Sequence, residues 1–280
     1  MGRTLRHITR MNSMTKTDPR DDDGLRGRHA VVTGASRGIG AAIVSTLARR
    51  GADVTLMGRN ESRLSERAAA LTKSFNAKAQ AIAMDIAQPE QVSAAFARAA
   101  DRFGPPQILI NNAGIATSAP IGKTDLSQWQ RLMEVNLTGA FLCIREVVPG
   151  MSKGDYGRIV NIASTAGLTG YAYVAAYCAA KHGLIGLTRA LACELARTGV
   201  TVNAVCPGYT DTEIVAEAVG NIVAKTGRTR EQALKDLTAH NPQGRLVRPE
   251  EVAETVGWLC LPSSASITGQ SIVVAGGELM

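Results

Sequence analysis

The stretch from His29 to Arg50 limits the fold more than any other. His29-Ala-Val-Val-Thr33 reads as a short apolar strand. Gly34-Ala-Ser-Arg-Gly38-Ile-Gly40 follows at once, and an alanine-rich amphipathic helix runs from Ala41 to Arg50. Glycines permit a tight turn and close backbone approach, and the helix start offers free N–H groups and a positive dipole end. That pairing suits a pyrophosphate. Gly34, Ser36, Arg37, Gly38, Ile39 and Gly40 are therefore the candidate dinucleotide cradle. No Gly-Lys-Ser/Thr follows the turn, which excludes a nucleotide-triphosphatase P-loop.

The pattern then repeats. Ala52–Met57, Lys78–Met84, Gln107–Ile110, Gly157–Ala163, Val200–Val205 and Gln270–Ala275 read as further strands. Helical patterns separate most of them: Asn60–Ser74, a helix ending at Arg102, Asp125–Val148, about Tyr173–Arg197, a polar stretch to His240, and one opening at Pro249. Strands alternating with helices at this period predict an α/β fold, a Rossmann-type doubly wound sheet of seven parallel strands with helices on both faces. The expected layout is a disordered tail over 1–26 and one domain over 27–280. The tail is Arg-rich, then acidic at Asp21-Asp22-Asp23. It faintly resembles a mitochondrial transit peptide, and otherwise reads as a plain tail or as a start placed ahead of Met14.

Composition removes several functions. The net charge of +7 lies partly in residues 1–28, which hold seven Lys/Arg against four Asp, and aromatics are 4%. That is no base-stacking or groove-reading surface, so no nucleic acid is expected as a partner. No apolar run reaches the roughly 18 residues a membrane span needs. The five cysteines stand singly, without metal spacing, so no metal is expected and a reducing, cytoplasmic compartment fits.

Chemistry concentrates after the fifth strand. Tyr177 and Lys181 are four apart on a predicted helix and face the same way. An ammonium that close is expected to lower the phenol's pKa toward neutrality and make it a usable proton donor and acceptor. Ser164 stands at the carboxyl end of its strand, where open parallel sheets bind ligands. Asn136 interrupts an apolar helix stripe, as either a satisfied core amide or part of a proton path. Past the second strand, Gly58-Arg59-Asn60 stands where an acid would hold the ribose 2′-hydroxyl of NAD. With Arg37 in the glycine turn, this favours NADP(H), with NAD(H) the alternative. Asp85, beside Ile86, either reaches the adenine amine or caps the helix before Pro89.

Together these residues resemble the short-chain dehydrogenase/reductase family over about residues 28–275. The resemblance rests on Thr33-Gly34-x-x-x-Gly38-x-Gly40, Asn111-Asn112-Ala113-Gly114, Asn136, Ser164, Tyr177-x-x-x-Lys181 and Pro207-Gly208, in that order. It implies that Tyr177 exchanges a proton with the substrate oxygen, that Ser164 hydrogen-bonds that oxygen, and that Lys181 holds the nicotinamide ribose. Asn136 would position a water linking Lys181 to solvent. It further implies cofactor contacts at Asp85, Ile86, Asn112, Ala113, Gly114, Pro207, Gly208, Thr210 and Thr212. Family members are mostly tetramers, so a homotetramer is expected.

The wording Gly157–Gly167, Lys181-His182-Gly183 and Glu194–Gly208 is similar to the 3-oxoacyl-carrier-protein and polyketide ketoreductases and to 3-hydroxyacyl-CoA dehydrogenases. A 3-oxoacyl thioester, carried on CoA or acyl carrier protein, is the expected small-molecule substrate. The basic loop around Lys225, Arg228 and Arg230 is either a carrier-phosphate contact or a solvated surface. An NAD-linked alcohol dehydrogenase and a non-enzymatic NADP-sensing regulator are the rival functions. One departure stands out: many relatives end the last strand with Asp-Gly-Gly, and this chain has Ala275-Gly276-Gly277-Glu278.

Overall fold

The computed structural model describes residues 24–279. Seven strands form one parallel sheet in the order β3-β2-β1-β4-β5-β6-β7. They are β1 (His29–Thr33), β2 (Asp53–Gly58), β3 (Ala79–Ala83), β4 (Ile108–Asn111), β5 (Gly157–Ile162), β6 (Val200–Pro207) and β7 (Ser271–Val274). The helices are α1 (Gly38–Arg49), α2 (Glu61–Phe75), α3 (Pro89–Phe103), α4 (Leu126–Met133), α5 (Gly139–Met151), α6 (Ala175–Glu194), α7 (Glu213–Thr226), α8 (Arg230–Thr238) and α9 (Pro249–Cys260). This is the expected doubly wound architecture.

Central strands buried on both faces explain the near-continuous apolar runs at β1, β4 and β5. Alternate residues feed two separate cores. Ala30, Val32, Ile108, Ile110, Val160 and Ile162 pack with α1, α2 and α9. Val31, Leu109 and Ile159 pack with α3, α5 and α6. Leu25 is fully buried in the first core, and its N–H donates to the Arg50 carbonyl. The packed body thus already includes residue 25, inside the stretch expected as tail; residues 1–23 lie outside the described residues.

One helical expectation is corrected. The single helix expected over 125–148 is α4 and α5 joined by a π-helical turn at Glu134–Thr138. The polar stretch to His240 is helical as expected, and it divides into two helices. Gly227 ends α7 in the left-handed region, and Thr229 opens α8 with a reciprocal capping box to Gln232. Arg228, offered as a carrier-phosphate contact, pairs with Asp236; the Lys225 side chain lies outside the described residues.

A buried polar chain fixes α6 to the sheet. Asn111 on β4 donates to Asn161 on β5 at 2.8 Å, and Asn161 donates to Thr188 on α6 at 2.9 Å. All three are buried. An Asn161→Ala variant strands the Asn111 amide and breaks the tie to Thr188, whose hydroxyl keeps its bond to the Leu184 carbonyl. The variant is expected to lose about 1–3 kcal/mol of stability. Denaturant melting checks this: an unchanged midpoint would mean that the chain of amides does not hold α6.

Candidate active site

The glycine turn leaves β1 and enters α1 at the crevice between β1 and β4, where the strand order reverses. Gly34 and Gly38 adopt φ of +66° and +53°. A Cβ on Gly40 would stand 2.2 Å from the Gly34 carbonyl oxygen, so only glycine closes this turn. Arg37 is the N-cap residue of α1 and makes no side-chain cap, which leaves the first-turn N–H groups free of a side-chain partner.

Thr33 and Asn112 stitch the crevice together. Thr33 Oγ1 accepts the N–H groups of Asn112 and Ala113 at 3.0 and 3.1 Å. The Asn112 amide donates to the Thr33 and Gly34 carbonyls at 3.0 and 3.1 Å. Asn112 therefore spends its side chain on the turn itself. The cradle, its uncapped helix start and its close backbone packing fit a dinucleotide pyrophosphate.

The other cofactor candidates divide. Thr212 lies against Gly38, 3.1 Å from where that residue's Cβ would stand. Thr210 donates to the Gly208 carbonyl, and Gly208 is held to the end of β7 through the Val274 carbonyl. Pro207 is buried at the end of β6. Ile39 packs against the first core and Ser36 is half-buried in the turn. Ile86 is buried in the second core with its side chain against Gly139, so that side chain serves packing. Asp85 accepts from the Ala87 N–H at 3.0 Å and pairs with Arg131 at 3.3 Å. The Ala87 hydrogen bond, with Arg131, holds its pKa below the usual carboxylate value. It does not cap α3, whose N-cap residue is Gln88. Arg59 is exposed and adds to the positive field at Asp85. Arg37 pairs instead with Glu213 at the start of α7, with Glu217 at 3.7 Å.

Ser164 follows β5 in extended conformation, and its hydroxyl accepts from the Ala166 N–H at 3.1 Å. That hydroxyl lies close enough to the Tyr177 phenol on α6 to favour its ionised form. Lys181 lies one turn further along α6 and is buried, with Nζ donating to the Ile162 carbonyl at 2.8 Å. The same nitrogen is 5.6 Å from the centre of the Tyr177 ring. Gly114 separates Lys181 from Asn136: a Cβ there would stand 2.8 Å from Asn136 Oδ1 and 3.8 Å from Lys181 Nζ.

Asn136 occupies the π-helical turn. Its Oδ1 accepts from the Ile115 N–H at 3.1 Å. Its Nδ2 donates to the Ile115 and Leu132 carbonyls, each at 3.0 Å. The amide is satisfied by backbone on every side, and the bulge in the helix is what turns it toward Ile115.

The electrostatics correct one expectation. Burial pushes Tyr177 up to about 12, against the opposing hydrogen bond from Ser164. Burial likewise brings Lys181 down to about 8. Desolvation is the larger influence on both groups, although the Tyr177 side chain is only half-buried by surface area. Tyr177 is thus a protonated phenol at neutral pH, aimed through Ser164 at one point. Such a pair can donate a proton and a hydrogen bond to a carbonyl oxygen.

Sequence reasoning left several contributors without a role: Thr33, Asn161, Thr165, Tyr171, Tyr209 and Glu213. Asn161, a polar residue inside an apolar strand, carried a signal of its own. Glu213 and Tyr171 carried none, because their partners are distant in the chain. Among the described residues, no three His, Cys, Asp or Glu side chains group to hold a metal ion. No helix among them is long and apolar enough to cross a membrane.

A dinucleotide cradle facing a Ser-Tyr-Lys set at the carboxyl edge of a parallel sheet defines an oxidoreductase that acts on alcohol or carbonyl groups. The short chain dehydrogenase family profile matches residues 28–222, and the chain belongs to that family. It is 38% identical over 256 residues to the 3-oxoacyl-(acyl-carrier-protein) reductase of Vibrio cholerae, covering 91% of this chain and 99% of that one. It is also 38% identical over 253 residues to the D-beta-hydroxybutyrate dehydrogenase of Rhizobium meliloti, covering 89% and 97%. Among solved structures, a variant of the actinorhodin polyketide ketoreductase with NADPH superposes with a TM-score of 0.86 at 38% identity, over 90% of this chain and 97% of that one. The L-sorbose reductase of Gluconobacter frateurii, complexed with NADPH and L-sorbose, gives 0.87 at 31% identity, over 92% and 98%.

The Lys181 shift has a consequence for stability. Between about pH 8 and its unfolded value of 10.5, the unfolded chain holds the Lys181 proton and the folded chain does not. Stability contributed by this group therefore rises with pH across that window, by up to about 1.4 kcal/mol per pH unit. A Lys181→Met variant lacks the rise. Its stability relative to wild type is expected to fall between about pH 8 and 10, and parallel curves in chemical denaturation would show that Lys181 is not desolvated.

Proposed function

We propose that this enzyme is an NADP(H)-dependent ketone reductase whose substrate is a 3-oxoacyl thioester on CoA or acyl carrier protein. One observation carries the reading: Ser164 at the end of β5 and Tyr177 and Lys181 on α6 come together at the carboxyl edge of the sheet, with Lys181 Nζ 5.6 Å from the centre of the Tyr177 ring. Support for the thioester comes from the likeness to the Vibrio cholerae reductase and the polyketide ketoreductase.

When bound, the nicotinamide supplies the hydride. The chain's own residues do the rest. On substrate binding the Ser164 hydroxyl turns its proton from Tyr177 to the substrate oxygen, Tyr177 donates to the same oxygen, and both stabilise the charge that develops there. Tyr177 gives its proton to that oxygen. Lys181, charged below about pH 8, holds the ribose and replaces the lost proton. Asn136 anchors Ile115 and keeps the space beside Gly114 open for a water that joins Lys181 to solvent.

Arg37 and Arg59, with no acid after β2, support a preference for the 2′-phosphate of NADP(H). Arg37 exchanges Glu213 for that phosphate. The structures with NADPH at 38% and 31% identity agree with this preference. The expected homotetramer accords with large apolar side chains left exposed on α4, α5 and α9, including Leu126, Trp129, Phe141 and Trp258.

Two tests apply. Tyr177→Phe is expected to bind NADPH as wild type does and to lose about 10²- to 10⁴-fold in kcat; activity within threefold would exclude Tyr177 as the acid. Arg59→Asp is expected to cut the NADPH-to-NADH ratio of kcat/KM about tenfold or more. An unchanged ratio would put the 2′-phosphate elsewhere, and a wild-type preference for NADH would favour the dehydrogenase reading.

A further inference from the structure

The departure at the end of β7 has a structural counterpart. Glu278 reaches back from the C-terminal segment to the catalytic end of the sheet, where the Tyr171 hydroxyl donates to its Oε1. The Tyr171 oxygen also meets Thr165 Oγ1 at 3.0 Å, and Thr165 is the neighbour of Ser164. The other carboxylate oxygen stands 2.7 Å from the point that a Cβ on Gly208 would occupy. Tyr209, the neighbour of Gly208, lies edge-to-face with Tyr171, ring centres 6.5 Å apart. Thr165, Tyr171, Glu278 and Tyr209 thus form one wall beside Ser164. Glu278 makes no ion pair with a described lysine or arginine, so among the described residues its charge stays uncompensated on that wall.

We infer that Glu278 is a specificity-determining residue that rejects free 3-oxo acids and admits neutral carbonyl substrates such as esters and thioesters. The inference rests on the reduction of 3-oxoacyl groups proposed above. In a 3-oxo acid the carboxylate is two bonds from the reacting carbonyl carbon, so it must enter the same wall. There it meets the like charge of Glu278. A thioester carries no charge at that position. The Tyr171 hydrogen bond holds the carboxylate in place, and Gly208 leaves room for it.

Glu278→Gln keeps the shape and the Tyr171 contact and removes the charge. The measurement is kcat/KM with NADPH for three substrates: 3-oxobutanoate, its methyl ester, and its N-acetylcysteamine thioester. Wild type is expected to favour both neutral compounds over the acid. The variant is expected to raise the acid-to-ester ratio about tenfold and still to reduce both neutral compounds, which also shows that it folds. Tyr171→Phe, which frees the carboxylate but keeps the charge, is expected to relax the discrimination only in part. Added salt is expected to narrow the wild-type gap and leave the variant's ratio unchanged. An acid-to-ester ratio equal in wild type and Glu278→Gln overturns the inference. Wild-type reduction of the methyl ester without the thioester overturns the thioester reading alone, because the acid-to-ester comparison still decides the role of Glu278.

Discussion

The site depends on the seam between β1 and β4. At that seam the sheet reverses its winding, and the ends of two parallel strands would part if nothing joined them. Thr33 and Asn112 join them with four hydrogen bonds that run from side chain to backbone in both directions. The same contacts hold the glycine turn at the distance its missing side chains allow. A cradle that must pass a pyrophosphate over bare backbone cannot tolerate drift there, so the seam's rigidity is a condition for binding as well as for folding.

A second constraint runs from the sheet to α6. The polar chain Asn111–Asn161–Thr188 sets the helix against β5. The ammonium of Lys181 then closes on the Ile162 carbonyl at the strand's last residue. A buried cation on a strand-end carbonyl is a costly arrangement, and its depressed pKa records the cost. Tyr177 is carried on the same helix, one turn away. Burial is the larger influence on both groups, opposed at Tyr177 by Ser164.

Much of this was legible from local pattern. The strands were readable because buried parallel strands are apolar throughout, and the glycine turn because its spacing admits few other uses. Ser164, Tyr177 and Lys181 were readable because a strand end and a helical repeat of four put them on one side. Partnership across the chain was less legible. Asn136 was readable as a polar intrusion, yet its three backbone partners depend on a helical bulge that no propensity announces. Arg37 was readable as a phosphate ligand, yet Glu213, distant in sequence, takes it first.

By itself, the sequence determined the doubly wound sheet, the glycine turn and which side chains are candidates for the reaction. These follow from periodicities and spacings of a few residues, within which backbone geometry leaves little choice. Only the tertiary structure decided how those side chains are charged and what surrounds them. Whether a phenol next to a lysine gains or loses acidity depends on how much water the fold removes, and that is a property of the whole cleft. The meeting of Glu278 with Tyr171 is likewise set by packing, since residues 107 positions apart are brought together by the sheet's closing strand and not by any local rule.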